Sequence, residues 1–124
     1  MKQRGLIGPP PPDPSQGFKL IVELRTYTVK PLRTAEFLAL YERAALSLQK
    51  KYLGQLIGFY VSEVGPLNQV VHLWRFDSLA ERERRRQQME EDPGWALYRD
   101  ALRELDVIVQ QETKLLKSVA FSPL

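Results

Sequence analysis

Two segments of the sequence combine a carboxylate, a fixed cation, an imidazole and aromatic rings at a spacing of two residues. Glu23, Arg25 and Tyr27 form one set, and His72 and Trp74 form the other. Residues two apart in a β-strand point to the same face of the sheet. If the two segments are neighbouring strands whose polar faces coincide, these side chains line one surface. Such a surface suits a small anionic or aromatic ligand.

The residue types indicate roles in a possible enzyme that oxidises or isomerises an aromatic or polyketide-like substrate. His72 is the candidate general acid or base, because an imidazole ordinarily has the pKa closest to neutrality. Arg25 would hold an anionic oxygen, in bidentate fashion if the ligand is a carboxylate. Glu23 completes the candidate catalytic set. The candidate ligand-binding residues are the aromatic Tyr27, Trp74, Trp95 and Tyr98.

Each of these residues also has a purely structural interpretation. Glu23 and Arg25 could form an ion pair at the sheet edge or at a dimer interface. His72 could be a hydrogen-bonded interior histidine. The tryptophans and tyrosines could be ordinary core residues.

Composition excludes several other kinds of site. The chain has 124 residues, no cysteine and one histidine, so thiolate metal sites, disulfides and cysteine nucleophiles are excluded. There is no phosphate-binding glycine loop, and we expect neither a metal nor another cofactor. The net charge is only +3, which does not indicate a nucleic-acid partner.

The densest basic run is interleaved with acidic residues, which favours a solvated helix face over a phosphate site. An anion site or a partner-docking patch is the alternative. The run consists of Arg82, Arg84, Arg85 and Arg86, flanked by Glu81, Glu83, Glu90 and Glu91.

A proline-rich segment over residues 1–17 precedes one globular domain over 18–124. Pro9, Pro10, Pro11, Pro12 and Pro14 favour an extended, disordered tail. The sequence has no run of 18 apolar residues, so no transmembrane helix is predicted. It also shows no secretory signal. We therefore expect a cytoplasmic protein.

From residue 20 onward, the pattern alternates between strand and helix signals. β-Branched and aromatic residues predict the strands, and apolar residues at helical spacing predict the helices. Gly54 is placed to end the first helix, and Ser78 and Asp92 are predicted N-caps. The predicted elements are a strand over 20–28, a helix over 34–51, strands over 56–64 and 69–76, helices over 79–89 and from 93, and a strand over 107–117.

This order, βαββαβ, predicts an α+β ferredoxin-like fold with a four-stranded antiparallel sheet and helices on one face. The first and third strands carry apolar residues on both faces, including Val22 and Leu24 on the side opposite Tyr27. A monomer would expose the uncovered face as a large apolar patch. We therefore predict a homodimer, with sheet packed on sheet.

The sequence from about Leu20 to Leu124 resembles the NIPSNAP family. The residues that carry the resemblance are VELRTYTVKP at 22–31, GPLNQVVHLWRFDSL at 65–79 with the following AER, the Asp92-Pro93-x-Trp95 motif and the closing FSPL at 121–124. The resemblance implies a ferredoxin-like domain in a dimeric α/β barrel. It implies no established catalytic residues. Barrels of similar architecture include cofactor-independent monooxygenases, an analogy of fold that does not determine function.

Two functional hypotheses follow from the sequence. The first is a homodimeric protein that binds a small molecule, or an enzyme resembling cofactor-independent oxygenases or isomerases. The second is a non-catalytic module for protein–protein interaction, which would dock a partner through the dimer surface or through the Arg82–Arg86 run.

Overall fold

The computed structural model describes residues 20–124, so the predicted disorder over 1–17 lies outside the described residues. The elements follow the predicted order with small shifts at their ends. They are β1 (Ile21–Val29), α1 (Thr34–Ala44), α2 (Leu46–Leu53), β2 (Gln55–Val61), β3 (Gln69–Phe76), α3 (Leu79–Glu90), α4 (Pro93–Leu105) and β4 (Ile108–Lys117).

The four strands form one antiparallel sheet in the order β2-β3-β1-β4, which confirms the ferredoxin-like α+β fold. On the two central strands, burial alternates with a period of two, as expected for a sheet with one covered face. The helices cover the inner face. The alternation places the odd-numbered residues of β1 and the even-numbered residues of β3 there.

The first predicted helix is interrupted at Ala45, whose φ of −118° departs from helical geometry. Backbone hydrogen bonds continue across the break, from Ala45 N to Tyr41 O and from Gln49 N to Ala45 O. The bend lets α1 pack against α4 while α2 packs against α3. The expected single helix over 34–51 is therefore wrong, because tertiary packing divides it between two neighbours.

Side-chain caps fix the starts of α3 and α4. Ser78 Oγ accepts a hydrogen bond from Glu81 N at 3.1 Å, and the Glu81 carboxylate accepts one from Asp77 N. Asp92 accepts a hydrogen bond from Gly94 N at 2.8 Å and another from Tyr52 Oη at 2.7 Å. Both predicted N-caps are confirmed, and the second also ties α4 to α2.

The core consists of two apolar clusters between the sheet and the helices. One is built around Phe37, Tyr41 and Val70, and the other around Trp74 and Met89. Three polar or charged side chains are also buried in the described part of the chain: Glu23, Gln49 and His72.

The outer face of the sheet carries no helix within residues 20–124. Val22 and Leu24 on β1 and Leu73 on β3 lie there, only partly buried. On β2, the side chain of Tyr60 lies so close over Gly58 that a Cβ atom at Gly58 would come within 2.1 Å of the Tyr60 hydroxyl oxygen. Glycine is therefore required at this position for the ring to remain where it is.

Candidate functional site

The register of β1 and β3 places the two sequence-predicted sets of residues on the same inner face. Glu23 lies opposite Trp74, and Arg25 lies opposite His72. Tyr27 follows on the same face, with its ring 5.1 Å from that of His72. The sequence left this register open, and only the paired strands resolve it.

A buried carboxylate forms the centre of this face. Glu23 is completely buried. Its Oε2 accepts a hydrogen bond from Arg25 Nη1 at 2.7 Å, and its Oε1 accepts one from Arg82 Nε on α3 at 2.9 Å. Arg25 also donates from Nε to Tyr27 Oη at 3.0 Å. The ion pair therefore connects the central strand to the helix above it.

Burial tends to raise the pKa of Glu23, but the two arginines reverse the effect. Hydrogen bonds from Arg82 and Arg25 and their positive charges leave the pKa of this carboxyl below its usual range. Glu23 is therefore ionised at neutral pH, with its charge offset by two guanidinium groups.

His72 lies in an environment that excludes its charged form. It is completely buried, and its ring stacks on Phe59 at 4.5 Å. Burial, followed by the positive charge of Arg25, lowers the pKa of His72 to about 3. Trp74 Nε1 donates to His72 Nδ1 at 2.8 Å, which leaves the proton of the neutral ring on Nε2. The expectation of a pKa near neutrality is therefore wrong, because it neglected burial.

A cavity of about 430 Å³ opens beside these residues, between the sheet and α3 and α4. Four of the seven predicted site residues line it, whereas Glu23, His72 and Trp74 lie outside its wall. The lining residues are Arg25, Tyr27, Arg86, Glu90, Trp95, Tyr98, Arg99, Leu102 and Gln111.

Arg86 is the most unusual residue of this wall. Its side chain is only 18% exposed, and its Nη1 is buried with no hydrogen-bond partner among residues 20–124. The nearest carboxylate, that of Glu90, lies 3.8 Å from Nη2. Burial and then the charge of Arg25 lower the pKa of this guanidinium, yet arginine remains charged in proteins. Arg86 is thus a cation with unmet hydrogen-bonding capacity beside a cavity.

The predicted solvated face of Arg82 to Arg86 is only partly correct. Arg84 is exposed, but Arg82 and Arg86 turn toward the sheet, with side chains only 14% and 18% exposed. The spacing could have indicated this orientation. Arg86 and Arg82 precede Met89 by three and seven residues and so lie on its face of the helix, and Met89 is buried. Arg99 and Gln111 also line the cavity, although the sequence analysis did not predict them as site residues.

Residues 20–124 contain neither a cluster of metal-binding side chains nor a membrane-spanning helix. No group of three or more histidine, aspartate and glutamate residues could hold a metal ion. In the same part of the chain, no helix is long and apolar enough to cross a membrane.

The fold and the cavity define a ferredoxin-like α+β protein with a ligand-sized space between its layers. The profile of the NIPSNAP family matches residues 22–123, and the chain belongs to this family. The NipSnap homolog 3B of Mus musculus is 32% identical over 83 residues, which are 66% of this chain and 33% of that protein. The chain thus matches about a third of the length of the curated relatives.

Solved structures show the same fold. A NIPSNAP family protein of unknown function from Agrobacterium tumefaciens is 37% identical, with a TM-score of 0.78 over 86% of this chain and 95% of the other. A cofactor-independent oxygenase from Streptomyces nogalater is 19% identical, with a TM-score of 0.59 over 86% of this chain and 99% of the other. The latter similarity concerns the fold alone.

Removal of the buried carboxylate should destabilise the protein in a pH-dependent manner. Glu23→Gln leaves Arg25 and Arg82 without their shared counter-ion, and we expect a loss of about 3 kcal/mol in unfolding free energy at pH 7. Because the folded pKa of Glu23 is lowered, its contribution is present above pH ~4.5 and declines as the pH falls toward the folded pKa. Urea unfolding from pH 7 to pH 3 measures both effects. Glu83→Gln is the matched control, since this exposed residue also contacts Arg82. An equal loss in both variants would contradict the prediction.

The single histidine offers a direct test of its environment. We expect the imidazole NMR signals of the folded protein to stay unchanged from pH 8 to pH 5, with the proton on Nε2. In the unfolded chain, His72 takes up its proton near pH 6.5. Stability should therefore decline as the pH falls below about 6.5, because the unfolded state then binds more protons. Titration of the folded protein with a midpoint near 6.5 would show that His72 is not held in this way.

Proposed function

We propose that this NIPSNAP protein binds a small organic anion with an aromatic or conjugated body in the cavity between the sheet and helices α3 and α4. The observation that carries the proposal is the buried Arg86 Nη1, which lacks a hydrogen-bond partner in the described part of the chain. A buried N–H group without an acceptor is costly, more so in a charged group. A carboxylate in the cavity would supply that acceptor.

The charges of the cavity wall favour an anion over a cation. Three arginines and one glutamate line it, an excess of two positive charges. The buried carboxylate beneath the wall, that of Glu23, already accepts hydrogen bonds from Arg25 and Arg82. An entering cation would meet mainly like charges, whereas an anion would be attracted.

The remaining wall suits a flat, apolar body. Trp95 and Tyr98 lie with ring centroids 5.4 Å apart, and Tyr27 adds a third ring to the lining. A volume of about 430 Å³ lies within the range of roughly 300–1,000 Å³ that is common for small-molecule sites. Stacking and hydrophobic contact would hold the body, and the arginines would orient the charged end.

We also propose that two copies pair through the outer face of the sheet. Val22, Leu24 and Leu73 form a partly buried apolar strip there, and Tyr60 is 55% exposed beside it. Covering apolar area is favourable by about 25 cal/mol per Å². A second copy offers the same apolar strip and would bury both.

Catalysis stays a prediction for Glu23, Arg25 and His72. Arg25 lines the cavity and could contact a ligand directly. Glu23 and His72 lie beneath the wall, where they could act only by positioning Arg25 and Tyr27. The likeness to a cofactor-independent oxygenase concerns the fold, and fold does not determine function. The alternative of a docking module receives less support, because two arginines of its proposed surface face the sheet.

Binding and stability should respond in opposite directions when Arg86 loses its charge. Arg86→Met keeps the apolar stem and removes the unsatisfied cation. We expect benzoate binding, measured by calorimetry, to weaken about tenfold or more, while the unfolding free energy stays equal or rises by about 1 kcal/mol.

Two controls make this test specific. Benzamide has nearly the shape of benzoate without its charge, and it should bind the wild type much more weakly. Arg84→Met makes the same change at an exposed position of α3 and should leave benzoate binding unchanged. If benzoate and benzamide bind equally, or if the Arg86 variant retains its affinity, the proposed function is refuted.

The dimer is tested by placing a charge on the outer face. We expect light scattering at micromolar concentration to give twice the chain mass of 14.4 kDa for the wild type. Leu24→Glu should give a folded monomer, because a carboxylate in the apolar interface would lose its hydration. Leu97→Glu, at a position on α4 that is 70% exposed, is the control and should remain a dimer. A wild-type monomer would exclude the proposed pairing.

A further inference from the structure

The cavity presents cationic groups at two depths. Arg25 and Arg86 are at the inner wall, with side chains only 14% and 18% exposed. Arg99 lines the same cavity but is exposed, which places it at the mouth. The inner wall and the mouth of the cavity therefore both carry positive charge.

The arginines at the two depths differ in the partners that the protein provides for them. At the inner wall, Arg25 is paired with Glu23, whereas Arg86 Nη1 is buried and lacks an acceptor among residues 20–124. At the mouth, no carboxylate of residues 20–124 lies within 4.0 Å of the Arg99 guanidinium. The neighbouring Asp100 is instead paired with Arg103 at 3.1 Å. Each depth therefore has one cation available to a ligand.

The aromatic wall joins these two positions. Trp95 and Arg99 are four residues apart on α4 and therefore lie on the same side of the helix, one turn apart. A flat ligand body against Trp95 and Tyr98 would extend from the inner wall toward Arg99. The one carboxylate of the lining, Glu90, belongs to α3 and lies 3.8 Å from Arg86. It would direct a second negative group away from α3 and toward α4.

We infer that the ligand of this cavity is a dianion, with one negative group bound at Arg86 and a second, at the opposite end of an aromatic or conjugated body, bound at Arg99. This inference rests on the proposed function, because it assumes that Arg86 is the inner anion site. Arg99 then acts as a specificity residue: it distinguishes dianions from monoanions of the same shape. Its effect is expected to be modest, since exposed ion pairs are partly screened by water and salt.

The test compares matched pairs of probes that differ only in the outer group. Terephthalate is compared with 4-carbamoylbenzoate, and naphthalene-2,6-dicarboxylate with its monoamide. In each pair, an amide replaces one carboxylate at nearly constant shape. By calorimetry with the full chain at low salt, we expect at least one dianion to bind about threefold to fivefold tighter than its monoamide, in line with about 1 kcal/mol for an exposed pair.

Three variants test whether Arg99 causes the preference for the dianion. Arg99→Gln should abolish the preference, so that the dianion and its monoamide bind this variant with equal affinity. Arg103→Gln removes a similar exposed charge from α4 outside the cavity wall and should retain the preference. Arg86→Met should weaken both members of the pair together.

The outcomes separate the two proposals. If the monoamides bind and depend on Arg86, but neither dianion is favoured or the preference survives in Arg99→Gln, the inference of a dianion is overturned and the proposed function stands. If no probe binds, or if binding does not depend on Arg86, the proposed function fails and the inference fails with it.

Discussion

The contact on which this structure depends is the buried ion pair between Glu23 and two arginines. Arg25 approaches from the same strand and Arg82 from α3. A buried carboxylate with only one of these partners would carry a large desolvation penalty. With both, it connects the central strand to a helix and fixes how that helix lies over the sheet. The position of Arg86, one turn beyond Arg82, follows from the same contact.

This constraint also explains why the cavity is cationic. Because Glu23 is committed to Arg25 and Arg82, it does not neutralise Arg86. The helix therefore brings a second, less satisfied arginine to the wall. Binding sites often retain buried charged groups that lower stability, because a ligand can supply the hydrogen-bond partner that the protein lacks. If the proposed anion binds, it would recover the stability that the protein loses at Arg86.

The histidine illustrates how burial changes the acid–base properties that a residue type suggests. As a residue type, His72 was the natural candidate for proton transfer. The structure encloses it between Phe59, Tyr27 and Trp74, with a pKa of about 3. Its neutral ring instead accepts the indole N–H of Trp74. The wall of the cavity is formed mainly by arginine, tyrosine and tryptophan side chains, and His72 is not part of it.

The sequence by itself determined the order of the elements, the caps at Ser78 and Asp92, and the periodicity that puts Glu23, Arg25 and Tyr27 on one face. These are local properties, fixed by backbone geometry and by hydrogen bonds between near neighbours. Only the tertiary structure decided the register that places Arg25 opposite His72, the inward turn of Arg82 and Arg86, and the break at Ala45. Those features depend on contacts between distant segments, where the burial of charge and the packing of one helix on another outweigh local preference.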